Sequence, residues 1–346
     1  MKVHLVSETE FVTKGQGTHT AFIDLIALLK ESNDVEVVVN NEGYGDILHA
    51  HTYGPYYFWK GLRYKGKKIF TVHVIPDSIK GSLPMWQRLM KATRWYFRKV
   101  YNYADILIAI SPMVEEAILS LGVKTPIRRI YNPIRTQSWK RNPQLRAAGR
   151  KLLGLKEHDF VVLGVGQIQG RKGVEDFIEV AGQIPGAKFV WAGGRPFGVF
   201  TEGISRINSQ IDDNAQKVYF SGLHELEQMP EIYAAADVFL FPSYQENCPL
   251  APLEAAASGM PVIFRDIEEY RSLYQNEYLK GSDNQEFTNL ILKLMLDKEF
   301  YEKGLKISEA LISQFDQETI RKQILEIYYE ISGESPKTPA VQMELV

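Results

Sequence analysis

Cysteine is almost absent from this sequence: Cys248 is the single one in 346 residues. That excludes an internal disulfide and a cysteine-based zinc site, and it fits a reducing compartment. No apolar run approaches the ~20 residues needed to cross a bilayer. The opening residues, MKVHLVSETE, go directly into a strand-like alternation without the apolar core of a signal peptide. No Asp-x-Asp pair occurs, no complete Gly-x-Gly-x-x-Gly follows a strand, and neither half is of low complexity or internally repeated. Net charge is also nearly absent, at −2, but its distribution is uneven. Residues 1–150 hold 22 Lys and Arg against 12 Asp and Glu, which leaves 18 against 30 for the remainder. The first half therefore suits an anionic partner: a membrane surface, a nucleic acid or an acidic polymer. The length favours two domains of ordinary size.

The chain is organised around residues 238–263, VFLFPSYQENCPLAPLEAAASGMPVI. Val238–Phe241 is short and rich in β-formers, which predicts a buried strand stopped by Pro242 and Ser243. After the polar loop Tyr244–Pro249, Leu250–Ser258 is rich in helix formers. Gly259 stands where a left-handed C-terminal cap is wanted, Pro261 lies just beyond, and Val262–Phe264 is a second apolar run. Strand, loop, helix, strand is the unit of parallel α/β sheets. Glu246 falls at the carboxyl end of the first strand and Glu254 on the helix. Eight helical residues turn about 80° past two full turns and rise about 12 Å. The two carboxylates are thus neighbours along one side, too far apart to share a proton. Helix N-termini at this edge of a sheet bind anions, and flanking carboxylates suit hydroxyls on either side of a diphosphate. A solvated surface pair has the same spacing.

In the first half, Lys2–Val6, Val35–Val39, Ile47–His51, Lys68–Val74, Ala104–Ser111 and Ile127–Pro133 read as strands, with helices over Ala21–Lys30 and Met113–Leu121. Gly15 and Gly17, in TKGQGTHT, let the backbone approach a phosphate or sugar, though an ordinary turn has the same composition. His49 and His51, in DILHAHTYGP, share one face of a strand, which packing explains as well as function does. His73 closes another strand, where it can hydrogen-bond a sugar hydroxyl. Residues 84–101, PMWQRLMKATRWYFRKVY, set Arg88, Lys91, Arg94 and Arg98 on one helical face and Trp86, Leu89, Met90, Thr93 and Phe97 on another. Such a helix lies in a membrane interface against anionic headgroups. The alternative is a core-packed helix with a solvated basic face. Lys60, Arg63, Lys65, Lys67 and Lys68, among Tyr56, Tyr57, Phe58 and Trp59, form a second basic-aromatic cluster. Arg135–Lys151 is polar and basic without apolar period and reads as a domain linker.

In the second half, strand Phe160–Gly166, the loop QIQGRKG and helix Val174–Gln183 combine glycines, a basic pair and a helix start, which is phosphate-binding architecture. Strand Lys188–Ala192 leads to Gly193, Gly194 and Arg195, and strand Val218–Gly222 and helix Met229–Ala236 follow. After Asp266 only helices are expected, with Gly333–Val346 a disordered polar tail.

The Pro-Ser turn, Glu246, seven residues, Glu254, the Ala-rich helix and Gly-Met-Pro-Val resemble the donor-site signature of retaining glycosyltransferases of family 4. The runs DILHAHTYGP, RKGVEDFIEVAGQIP and VIFRDIEEY are most similar to its diglycosyl-diacylglycerol synthase group. The resemblance covers nearly the whole chain and is strongest from Val161 to Asp266. It implies an α/β GT-B fold, two Rossmann-like parallel-sheet domains facing each other across a cleft. Residues 1–140 would be the acceptor and membrane-facing domain and 150–315 the nucleotide-sugar donor domain, with a helix at about 316–332 packed back onto the first.

The activity implied is transfer of glucose or galactose, with retention, from UDP-glucose or UDP-galactose to a glycolipid such as monoglucosyl-diacylglycerol. It would proceed at the cytoplasmic face of the cell membrane, with helix 84–101 on anionic lipid. No cofactor or metal is implied, because the basic pair and helix ends take the place of a cation. By the same resemblance Glu246 holds the hexose and Glu254 the ribose. Lys172, Arg171, Gly166 and the amides of Cys248 and Leu250 meet the diphosphate, under the loop of Gly15 and Gly17. His73 lines the reaction centre, and Asn247 and Gly194 complete the donor loops. Family members usually carry arginine directly after the first glycine, where this chain has Gln167; Arg171 is the substitute cation at hand. The alternatives are a soluble or polysaccharide acceptor, a GT-B sugar-nucleotide epimerase and a noncatalytic nucleotide-sugar-binding protein. The Glu246/Glu254 pair argues against the last two. A nucleic-acid partner has only the basic helix in its favour.

Overall fold

A computed structural model describes residues 1–9, 17–40, 43–52, 54–76, 86–194, 209, 211, 213–214 and 216–335, with backbone alone at 55–57 and 86–89. Among them, twelve strands form two six-stranded sheets in which every pairing is parallel. The first contains β1 (Lys2–Val6), β2 (Glu36–Val39), β3 (Ile47–Ala50), β4 (Lys67–Val72), β5 (Ile106–Ala109) and β6 (Ile127–Arg129), in the order β2-β1-β3-β4-β5-β6. The second contains β7 (Phe160–Val165), β8 (Ala187–Ala192), β9 (Val218–Gly222), β10 (Val238–Phe241), β11 (Val262–Arg265) and β12 (Leu279–Gly281), in the order β12-β11-β10-β7-β8-β9. Strand order reverses between β1 and β3 in one sheet and between β7 and β10 in the other. The crevice outside the carboxyl ends at such a point is where open α/β sheets bind ligands.

Burial explains why the strands read as continuous apolar runs: all four residues of β10 are buried, since helices cover both faces. One face of the first sheet packs Val3, Leu5, Ile47, Ile69 and Ile106 against Phe22, Leu25 and Leu29 of helix Gly17–Lys30. The same core takes Ile320, Ile324, Ile327 and Tyr328 from helix Gln317–Ser332, so the end of the described chain packs on the first sheet. Asp316 caps that helix by accepting from the Thr319 amide at 2.8 Å. On the other face, a core with Val6, Leu48, Phe70 and Leu107 continues into Val161, Leu163, Phe239 and Phe241 of the second sheet.

Two readings of the chain need correction. Residues 135–151 are helical at Thr136–Trp139 and Pro143–Leu152 rather than an irregular linker. The missing apolar period has a physical cause. Arg146 donates to the Ala234 and Ala236 carbonyls at 3.1 Å, capping the end of helix Met229–Ala235, and to Asp237 at 2.6 Å. Arg150, buried, reaches the other oxygen of Asp237 at 3.0 Å. Basic residues therefore do the docking that apolar residues usually do. Asn142-Pro143 is an N-cap and N1 pair that marks this helix, and the Asn142 side chain accepts from the Leu145 amide at 2.8 Å. The second correction is β12, a three-residue edge strand among the helices after Asp266. Residues 336–346, most of the expected tail, lie outside the described residues.

Candidate active site

Loops leaving the adjacent strands β7 and β10 at the same sheet edge build the site. β7 ends in Gly166 (φ +153°), and the chain then runs beside residues 192–194. The Gly166 amide donates to the Ala192 carbonyl and the Ile168 amide to the Gly194 carbonyl, both at 3.0 Å. A Cβ on Gly193 (φ +148°) would overlap the Gly166 carbonyl oxygen, so this contact requires glycine. A short 3₁₀ turn, Gly170–Lys172, follows, and Gly173 (φ +71°) abuts the Pro242 carbonyl so closely that no other residue fits. The turn is thereby zipped to the loop after β10. The Tyr244 amide donates to the Arg171 carbonyl at 2.8 Å.

This zip brings three charged groups together. Lys172 Nζ makes a short ion pair with Glu246 Oε1, Arg171 Nη1 lies 3.6 Å from the same oxygen, and Ser243 Oγ donates to it at 2.7 Å. Burial pushes the Glu246 carboxyl up, but Lys172, Arg171 and the hydrogen bonds from Lys172 and Ser243 outweigh it and hold the group below its ordinary range. Burial lowers the Lys172 ammonium, opposed by Glu246. Two basic side chains thus face one carboxylate, which leaves the cluster with formal positive charge to spare.

Glu254 sits apart with its own partner: the Tyr233 hydroxyl donates to Oε2 at 2.6 Å. Burial raises its pKa to about 7, Tyr233 opposes this, and Asp24, from the helix that Gly17 opens, adds to it. Because the folded value lies above the ordinary 4.5, stability from this group is complete below pH 4.5 and is lost as pH rises through about 7. Glu254→Gln is therefore expected to be close to the parent in denaturant at pH 4.5 and to exceed it by about 3 kcal/mol at pH 8. Equal stabilities at pH 8 would contradict the buried, strained carboxylate.

Asn247 spans the cleft. Its Nδ2 donates to the His73 carbonyl, at the end of β4, at 2.8 Å. His73 Nε2 shares a hydrogen bond with His51 Nδ1 at 3.0 Å, and burial lowers the His73 pKa to about 4, so its ring is neutral at pH 7. His49 and His51 lie on and just after the neighbouring strand β3. Both are buried, and His49 is held by the Tyr328 hydroxyl at 2.6 Å and the Thr71 hydroxyl at 2.7 Å. Strand alternation points them into the layer between the sheet and the last helix, where His49 packs against Tyr328 and His51 supports the His73 ring. Cys248 is buried too; burial pushes its thiol up to about 12, opposed by a hydrogen bond from the Asn132 backbone. Leu250 is buried at the start of helix Ala251–Ala257. Gly17 opens its helix with open space around it, and Gly15 lies outside the described residues.

Ser243, Tyr233 and Arg265 were not anticipated as part of the site. Arg265 is buried, stacks 3.9 Å from the Tyr244 ring centroid, pairs with Asp176 at 3.0 Å and donates to the Pro242 carbonyl at 2.8 Å, bracing the loop from behind. Only the basic residue ending a strand hinted at it.

A second feature lies on the first domain's surface. In helix Trp86–Tyr101, Phe97, Val100 and Tyr101 are buried, with Phe97 and Tyr101 stacked at 5.4 Å. Phe97, expected on a membrane-facing apolar side, thus belongs to the core. What the helix exposes is Lys91, Arg94, Arg98, Lys99 and Trp95, the last 64% accessible. Helix Pro55–Leu62 lies alongside, joined by an edge contact between Phe58 and Tyr96, and exposes Trp59 at 65%. The side chains of Trp86, Arg88 and Leu89 lie outside the described residues. Among those described, no helix is long and apolar enough to cross a membrane, and no three His, Cys, Asp or Glu side chains are grouped to hold a metal ion.

Residues 146–310 match the family model "Glycosyl transferases group 1", and residues 33–138 match "Glycosyltransferase Family 4". The chain is 32% identical to α-galactosylglucosyldiacylglycerol synthase of Streptococcus pneumoniae, over 95% of this chain and 89% of that protein. It is 29% identical to the processive diacylglycerol α-glucosyltransferase of Acholeplasma laidlawii, over 89% and 92% of the two chains. Anabaena Alr3699/HepE, solved with UDP and glucose, superposes with a TM-score of 0.75 at 20% identity, covering 95% of this chain and all of the other. That likeness speaks to fold, and the two facing parallel sheets are GT-B. Fold, family models and full-length relatives agree, and the chain belongs to glycosyltransferase family 4.

Proposed function

We propose that this protein is a retaining hexosyltransferase that moves glucose or galactose from a UDP-sugar to a hydroxyl of a membrane glycolipid such as monoglucosyl-diacylglycerol. The observation that carries this reading is the cluster of Lys172, Arg171 and Glu246 at the switch point of the second sheet, joined through Asn247 to His73. Two relatives matching about nine-tenths of the chain or more, named for glycosylating diacylglycerol lipids, supply the acceptor class.

In this scheme the bond between the sugar and the diphosphate breaks, and Lys172 and Arg171 stabilise the charge left on the departing UDP. The amides of Cys248 and Leu250 assist, whereas Pro249 has none to offer. Glu246 holds hydroxyls of the transferred hexose, Glu254 the ribose, and neutral His73 lines the sugar. The acceptor hydroxyl bonds to the carbon from the face that UDP leaves and passes its proton to the departing diphosphate oxygen, so configuration is kept. The cationic pair makes a metal ion unnecessary. Lys91, Arg94, Arg98 and Lys99 meet anionic lipid at about 1 kcal/mol each near the surface, and Trp59 and Trp95 settle at headgroup level. The protein would work from the cytoplasmic face as a peripheral enzyme.

Transfer from radiolabelled UDP-glucose and UDP-galactose to monoglucosyl-diacylglycerol is expected to rise several-fold with anionic over neutral vesicles. A Trp59→Ala/Trp95→Ala double variant is expected to lose most of that rise. Product on soluble sugars alone, unaffected by lipid, would discard the lipid acceptor and keep the donor site.

A further inference from the structure

The cation beside Lys172 is not free to move. Gln169 is buried, and its side-chain amide is used at both ends: Oε1 accepts from Arg171 Nε at 2.9 Å, and Nε2 donates to Gln167 Oε1 at 3.0 Å. Its backbone is fixed as well, because the Gln169 carbonyl accepts the Lys172 amide at 3.0 Å and opens the 3₁₀ turn. From that anchor the guanidinium extends so that Nη1 donates to the Gln245 carbonyl at 3.3 Å and stands 3.6 Å from Glu246. An arginine has many rotamers, and holding one in place costs side-chain entropy that a preset hydrogen bond offsets. Here the Nε edge is occupied by Gln169, which leaves the Nη edge directed along the loop that carries Glu246.

We propose that Gln169 is a positioning residue: held by Gln167, it fixes Arg171 so that the guanidinium is presented to the diphosphate. The inference rests on the donor site described under Proposed function. It also gives Gln167 a role. A neutral side chain after Gly166 serves here as the outer end of an amide relay, and the charge it lacks is delivered four residues later.

The amide relay and the charge are separable by a double-mutant cycle read in UDP affinity by calorimetry and in KM for the UDP-sugar. Gln169→Met, similar in shape and unable to bond at either end, is expected to weaken UDP binding about fivefold, with KM rising in step. Arg171→Ala is expected to weaken it about tenfold, and the double variant no further, since Gln169 acts only through Arg171. Gln167→Ala attacks the same relay from its half-buried outer end, is expected to cost about threefold, and likewise to add nothing to Arg171→Ala. It carries the test if Gln169→Met does not fold. Effects of Gln169→Met or Gln167→Ala that persist undiminished in the Arg171→Ala background would overturn the positioning role. So would parental UDP affinity in both relay variants while Arg171→Ala is impaired. Parental affinity in Arg171→Ala itself is a different failure, that of the donor-site reading.

Discussion

Lys172→Ala is expected to reduce kcat/KM for the UDP-sugar by about 10²–10³-fold, the cost of removing one preorganised charge donor from a water-poor site. The loss should exceed that of Arg171→Ala, because the Lys172 side chain is 14% exposed against 32% for Arg171 and is screened less. It should also change the pH profile. With Lys172 gone, the upward push of burial on Glu246 is opposed by Arg171 and Ser243 alone, and its pKa rises. The residual activity then acquires a limb that climbs toward alkaline pH, where the carboxylate is recovered. Glu246→Ala fails for the complementary reason: it leaves two cations with no counter-charge and no group for the hexose. Both variants are expected to keep the circular dichroism of the parent, since the zip between the two loops is made by backbone groups and Gly173. Near-normal turnover in either would remove this cluster from the chemistry.

The largest stability effect is expected at Asp237. Its two oxygens hold Arg146 and Arg150, and Oδ2 also accepts the Val161 amide at 2.8 Å where β7 begins. Burial lowers the Arg150 pKa and Asp237 supports it, so deleting the carboxylate strands a buried guanidinium on carbonyls alone. Breaking a buried pair from one side costs about 3 kcal/mol or more. For a unit of this size that corresponds to a fall in Tm of about 8 °C. Asp237→Ala should show this shift in calorimetry while UDP still raises the Tm of the variant, because the ion pairs lie at the amino end of β10, opposite the site. A shift under ~2 °C would mean that the arginines find other partners and that helix Pro143–Leu152 docks without them.

The Glu254 prediction has a different sign. There the site group destabilises the fold at neutral pH, so removing the charge is expected to gain stability while losing ribose recognition. Strain of that kind is ordinary at binding sites. It separates Glu254 from Asp237, whose charge serves the fold alone.

Much of the architecture was legible in the chain because its signals are local. The strand Val238–Phe241, the helix Ala251–Ala257 and the strand beginning at Val262 lie where short apolar runs, alanines and prolines place them. Gly259 has the left-handed φ, +78°, that its position after the helix requires. Helix Pro143–Leu152 leaves no apolar period in the chain, because much of its docking is ionic. The face of helix Trp86–Tyr101 was half legible. Its amphipathic pattern is plain, but amphipathicity does not say whether the apolar side meets a core or a bilayer, and Phe97 meets the core.

By itself the sequence determined the alternation of strands and helices, the family signature around Glu246 and Glu254, and the basic character of the first half. These follow from propensity, capping and composition, which act within a few residues. Which side chains share a site was decided by the tertiary structure alone. Glu246 meets Lys172 from 74 residues away, Asn247 meets His73 from 174, and His49 is buried against Tyr328 from 279. Such pairings depend on which strands are neighbours at the switch points, and parallel neighbours are set by the packing of helices over both sheets rather than by any segment's own preference.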